Sequence, residues 1–122
     1  IDQELESHGL TEKNLLLVGF SQGTMMSLHV GLRRDSQVAG ILGYSGLLAG
    51  PELLTDEIKS KPPVLMIHGD KDEMLPVQHL HDAVQALGGA GLNVEWHVSQ
   101  GAGHTIAQDG LELGMQFVQR VF

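Results

Sequence analysis

Leu15-Leu16-Leu17-Val18-Gly19-Phe20-Ser21-Gln22-Gly23 decides how this chain is read. Its first four residues form a short apolar run of the kind that makes a buried strand, and beyond it Met25, Leu28 and Leu32 recur at helical spacing. Between the two lies a G-x-S-x-G pattern. A chain that turns sharply from strand to helix at this point would hold the Ser21 hydroxyl above the end of the strand. Gly19 and Gly23 are expected there because side chains at those positions would collide with neighbouring backbone. The backbone N–H of Gln22, opening the helix, is expected to point where the oxyanion of a tetrahedral intermediate would form. A plainer reading makes Ser21 only a helix cap, but capping does not require both glycines. Ser21 is therefore expected to be a nucleophile.

Outward from that stretch, three more apolar runs read as strands: Val38 to Tyr44, Val64 to Ile67 and Leu92 to Val98. Helical patterns separate them. Val77, Leu80, Val84 and Leu87 trace one face, with Gly88-Gly89 expected to end that helix. Ile106, Leu113, Phe117 and Val121 trace a last helix, weakened by Gly110 and Gly114. Asp2 to His8, closed by Gly9, reads as the end of another, and Gly23, Ser27 and Gly31 form a small-residue stripe on the helix after Ser21. Strand alternating with helix implies an α/β fold, with a mostly parallel sheet covered by helices on both faces. The one long irregular connection runs from Leu47 to Pro63 and contains Gly50-Pro51 and Pro62-Pro63.

The chain has 122 residues, the length of one domain, with 42% hydrophobic and 18% charged residues. No apolar run is long enough to span a bilayer. A net charge of −8 argues against nucleic acid or an anionic membrane surface as partner and leaves small neutral or weakly charged substrates open. Cysteine is absent, which excludes a disulfide scaffold, a thiolate zinc site and a Cys nucleophile. No metal and no cofactor are expected. The start, Ile1-Asp2-Gln3-Glu4, shows neither an initiator Met nor a signal-peptide pattern. It suggests a piece of something longer, or a processed protein whose mature end falls here. The cytoplasm is the expected location.

A serine hydroxyl needs a base to take its proton and a third group to orient that base. His68-Gly69-Asp70-Lys71-Asp72-Glu73-Met74-Leu75-Pro76 follows the third strand, and Gly101-Ala102-Gly103-His104-Thr105 follows the fourth. Both lie at carboxyl ends of strands, where an open α/β sheet builds its site. Asp70 and Asp72 compete as the acid, Asp70 also reading as a turn residue that holds the loop. His104, on a glycine-rich loop before a helix, is the histidine free to reach Ser21. His29 reads as a core residue of the helix after Ser21 and His97 as a strand side chain. His79 and His81 point to different faces of one helix, a poor metal geometry, while His8 and His68 have no functional spacing. Leu47, Leu48, Met74 and Leu75, on loops near the strand ends, either line an apolar acyl pocket or are ordinary loop anchors.

The elbow Gly19-Phe20-Ser21-Gln22-Gly23, the His68-Gly69-Asp70-Lys71-Asp72 turn leading to Leu75-Pro76, and Gly103-His104 together resemble the C-terminal part of the phospholipase/carboxylesterase family of α/β-hydrolases, which includes acyl-protein thioesterases. The resemblance covers almost the whole chain. It implies Ser21 as nucleophile, Asp72 as orienting acid and His104 as general base. Thr24 departs from it where a third glycine is common, and Glu73 where proline is common. The implied function is hydrolysis of carboxylic esters, thioesters or lysophospholipids through an acyl-enzyme on Ser21. The resemblance also implies earlier strands beyond the elbow strand and an earlier loop with a second oxyanion donor, which this chain lacks. Its elbow strand is thus expected to be a bare apolar edge that needs covering. The cover would be an upstream segment of the same chain, another chain, or a second copy in a swapped homo-oligomer. The alternative is a truncated, non-catalytic hydrolase-fold module that needs a partner segment.

Overall fold

The computed structural model of the chain describes residues 1–48 and 54–122, so the Gly50-Pro51 part of the long connection lies outside the described residues. Its four strands are β1 (Leu16–Phe20), β2 (Gly40–Tyr44), β3 (Val64–Gly69) and β4 (Val94–Ser99). They pair in sequence order, all parallel, with Phe20 beside Tyr44, Tyr44 beside Ile67 and Ile67 beside His97. The helices are α1 (Asp2–Ser7), α2 (Gln22–Arg33), the short α3 (Leu54–Glu57), α4 (Gln78–Gly89) and α5 (Gln108–Val121).

Side chains of a strand alternate between the two faces of its sheet, and here the alternation builds two cores. Ile41, Val64 and Met66 pack with Leu28 and Leu32 of α2 and with Leu80, Ala83 and Leu87 of α4. Leu42, Tyr44, Leu65 and Ile67 face the other way and pack on Phe117 of α5. β2 and β3 are buried along their whole length, as expected of central strands covered on both faces. The expected parallel sheet with helices on both faces is the observed one.

Several local expectations are corrected. β1 runs on to Phe20, so the strand ends on the residue before Ser21. α4 ends at Gly88-Gly89 as expected, although the pair is itself helical and does not make the cap. The stop is Gly91, at φ +90°, which lets Leu92 N–H reach the Leu87 carbonyl and Gly91 N–H reach that of Gly88, the paired bonds of a Schellman cap. Gly110 and Gly114 give α5 its close approach to the sheet: a side chain at Gly114 would collide with the Tyr44 hydroxyl, which donates to the Gly110 carbonyl at 3.0 Å. Ile106 lies outside α5 and is exposed.

Among the described residues β1 pairs on one side only. Its outer margin exposes Val18 (56%) and Phe20 (39%), and Met26 of α2 is exposed beside an open hollow of about 450 Å³ lined by Gln22, Met25, Met26 and His29. His29 is thus a surface residue, not a core one, because it falls on the side of α2 turned away from Leu28 and Leu32. Among the described residues no helix is long and apolar enough to cross a membrane.

Candidate active site

Ser21 sits at the turn between β1 and α2 with φ 57° and ψ −115°, a conformation that non-glycine residues rarely adopt. The turn is held on both sides. Ser21 N–H donates to the Tyr44 carbonyl at 2.8 Å, and the buried Thr24 hydroxyl donates to the same oxygen at 2.8 Å. Thr24, which departs from the family pattern, therefore braces the elbow against β2. A side chain at Gly19 would run into the backbone of Gly23 and Thr24, so the closeness of the turn requires glycine there. At Gly23 a Cβ would meet no atom of the described residues outside its own helix, so the expected collision is confined to Gly19. Gln22 opens α2, where a backbone N–H has no intrahelical acceptor and is available to an anion.

The three expected catalytic side chains come together. His104 Nε2 lies 3.0 Å from Ser21 Oγ, and His104 Nδ1 lies 2.7 Å from Asp72 Oδ2. A carboxylate can only accept, so Nδ1 carries the hydrogen and the Nε2 lone pair faces the serine hydroxyl. The Asp72 side chain is fully buried, and that of His104 is 14% exposed. Burial pushes the Asp72 carboxyl up, but the Leu75 N–H, the His104 bond and the Met74 N–H together outweigh it and hold the group below the ordinary aspartate value. Those N–H groups reach Oδ1 at 2.8 and 2.9 Å, so the loop is fixed by hydrogen bonds although Glu73 stands where proline is common.

Asp70 stands outside the cluster of Ser21, His104 and Asp72. It accepts from the Gly101 N–H at 2.7 Å, while Lys71 N–H donates to the Ala102 carbonyl, so these bonds tie the acid loop to the histidine loop. Sequence reasoning missed two residues at the site. Phe20 places its ring against the His104 imidazole, 4.9 Å between centroids. His68 is fully buried beneath the acid loop, its Nε2 2.6 Å from the Leu75 carbonyl oxygen. The G-x-S-x-G spacing could have flagged Phe20, whose neighbour is the expected nucleophile; no spacing rule would have flagged His68.

The four pocket candidates separate. Leu47 and Leu48 line a cavity of about 250 Å³ with His79, Asp82 and Ala83 of α4, and Leu48 belongs to the main core. Met74 is 74% exposed, and Leu75 is half-buried on the acid loop. His81 stands edge-on to Trp96, and His97 pairs with Asp109 at the N-terminus of α5.

A sequence model of the phospholipase/carboxylesterase family matches residues 1–122. The chain belongs to the phospholipase/carboxylesterase family. A relative within reach of this family's pattern is acyl-protein thioesterase 1 of Gibberella zeae, 34% identical over 125 residues, covering 98% of this chain and 53% of the relative. Among solved structures, esterase PE8 superimposes with a TM-score of 0.97 at 45% identity, covering 99% of this chain and 56% of that one. SOBER1 of Arabidopsis thaliana superimposes at 0.90 with 26% identity, covering 98% and 58%. This phospholipase/carboxylesterase chain has the α/β-hydrolase fold, and it spans about half the length of the relatives it matches.

Proposed function

We propose that this chain is the catalytic-triad half of a serine hydrolase that cleaves carboxylic esters or thioesters through an acyl-enzyme. The observation that carries the reading is the relay from Ser21 Oγ to His104 Nε2 at 3.0 Å and from His104 Nδ1 to Asp72 Oδ2 at 2.7 Å. As Ser21 Oγ attacks the substrate carbonyl carbon, its proton passes to His104 Nε2, and Asp72 stabilises the imidazolium without taking the proton. The oxyanion faces the Gln22 N–H. Collapse of the tetrahedral intermediate expels the alkoxide or thiolate, which takes the proton from His104 and leaves Ser21 acylated. Water then repeats the sequence and frees the acid.

Ester and thioester substrates both fit this scheme, and the name of the Gibberella zeae relative supports the thioester class. Leu47, Leu48 and Leu75 are proposed to meet the acyl chain, Leu47 because it follows Gly46, which packs against the Ser21 carbonyl. The exposed Val18, Phe20 and Met26 margin is proposed to receive the remaining part of the fold, which supplies the second oxyanion donor. A cytoplasmic location is part of the proposal. The test is labelling by a serine-directed fluorophosphonate in the protein expressed from its full open reading frame. Labelling that disappears in Ser21→Ala supports the hydrolase; a folded, intact protein that does not label refutes it, and the non-catalytic module then stands.

A further inference from the structure

We propose that His68 is a positioning residue for the catalytic acid: through the Leu75 carbonyl it holds the loop whose N–H groups aim Asp72 at His104. The inference rests on the hydrolase reading for its meaning, although the geometry behind it is independent of turnover. His68 stands near the end of β3 with its side chain entirely buried. Its Nε2 is 2.6 Å from the Leu75 carbonyl oxygen and 3.4 Å from Asp72 Oδ2, and its Nδ1 meets no hydrogen-bond partner among the described residues.

A carbonyl oxygen only accepts, so the hydrogen is on Nε2 and points into the acid loop. The other tautomer would bury an orphan N–H and set two lone pairs against each other at the Leu75 contact. A buried imidazole with one satisfied nitrogen is a poor core residue, since an apolar side chain would fill the space without desolvating polar atoms. What it adds is direction. The Leu75 peptide flanks are fixed from both sides, by the carbonyl bonding to His68 and by the Leu75 and Met74 N–H groups bonding to Asp72 Oδ1. With Oδ1 pinned by two donors, the rotation of the carboxylate is set, and Oδ2 falls 2.7 Å from His104 Nδ1. Remove the His68 donor and the turn loses its inner anchor, so the two N–H groups no longer define where Asp72 points.

The experiment compares His68→Leu, His68→Asn and His68→Gln in the protein expressed from its full open reading frame, after thermal melts have shown which variants fold. A glutamine amide reaches the position of Nε2, whereas asparagine reaches only that of Nδ1. One readout, the low-field proton resonance of the His104 Nδ1–H bonded to Asp72, needs no turnover; the other is the rate of fluorophosphonate labelling of Ser21. The expected result is loss of the resonance and about 10- to 100-fold slower labelling in the Leu and Asn variants. The Gln variant keeps the resonance and labels at close to the parent rate. If the Leu variant does not fold, the Asn and Gln pair decides alone. A folded Leu or Asn variant that retains resonance and rate, or Asn and Gln variants that behave alike, overturns the proposal. A parent protein that shows the resonance but does not label refutes the hydrolase reading and leaves His68 to be judged on the resonance. Absence of the resonance from the parent overturns the arrangement on which both rest.

Discussion

The ring of Phe20 lies against the imidazole of His104, with centroids 4.9 Å apart and planes inclined at 44°. Phe20 is the last residue of β1 and the immediate neighbour of Ser21, so one short stretch places both the proposed nucleophile and a ring against the proposed base. An aromatic contact of this kind contributes about 0.5–1.5 kcal/mol beyond area burial. Phe20→Ala is therefore expected to lower kcat/KM on a short-chain p-nitrophenyl ester by roughly 2- to 10-fold, the rate equivalent of that energy. Phe20→Leu should fall between. Equal kcat/KM for the parent and the Ala variant would show that the ring does not help hold the base.

Gly19→Ala tests the elbow itself. The added methyl would overlap the Gly23 carbonyl group and the Thr24 nitrogen, and backbone cannot rotate aside as a side chain can. The expected cost is about 1–3 kcal/mol, the usual range for overpacking, together with loss of Ser21 labelling as the turn opens. Urea unfolding and probe labelling measure the two effects. A variant with parental stability and labelling would mean that the turn has slack the geometry does not show.

The parallel pairing and the three side chains that converge at the elbow, Ser21, His104 and Asp72, were legible because each depends on features that sequence carries directly. Apolar runs of strand length mark β1 to β4, and a sharp strand-to-helix turn restricts the residues that can make it. What was not legible depends on contacts between distant parts of the chain. Gly110 and Gly114 read as defects of a helix until Tyr44, far earlier in the chain, is seen to occupy the space they leave. His68 works through a backbone carbonyl, and no side-chain spacing reports such a bond. The loop residues Leu48 and Met74 looked equivalent in sequence, yet one is in the core and the other in solvent, because periodicity does not set side-chain direction in irregular backbone.

The contact between Tyr44 and α5 predicts a non-additive pair. Tyr44→Phe removes the bond to the buried Gly110 carbonyl and is expected to cost about 1 kcal/mol. Gly114→Ala drives a methyl into the Tyr44 hydroxyl and towards Leu42, with an expected cost of about 1–3 kcal/mol. In the double variant the hydroxyl that caused the collision is gone, so the total should be less than the sum of the two. Denaturant midpoints for the four proteins give the coupling directly. A strictly additive cycle would place the strain of Gly114→Ala elsewhere, Leu42 being the remaining neighbour.

Asp72 links the site to acid stability. Its folded carboxyl lies below the ordinary aspartate value because the bonds from Leu75 N–H, His104 and Met74 N–H outweigh its burial. A group with a depressed folded pKa contributes stability that is fully present above its unfolded value, about 3.9, and is lost as pH falls through the lower folded value. The parent should therefore be more stable than Asp72→Asn at neutral pH, and the gap should narrow as the solution is acidified below about pH 4. Activity should respond more sharply than stability. An asparagine at this place cannot hold His104 in the Nδ1–H tautomer as a carboxylate does, and in a serine triad that change costs about 10⁴ in kcat. Urea midpoints for both proteins across the acid range, with labelling rates at neutral pH, measure the two halves of the prediction. A gap that stays constant on acidification would show that the hydrogen bonds at Asp72 do not favour its charged form, and the carboxylate would then lack the charge that the proposed relay requires of it.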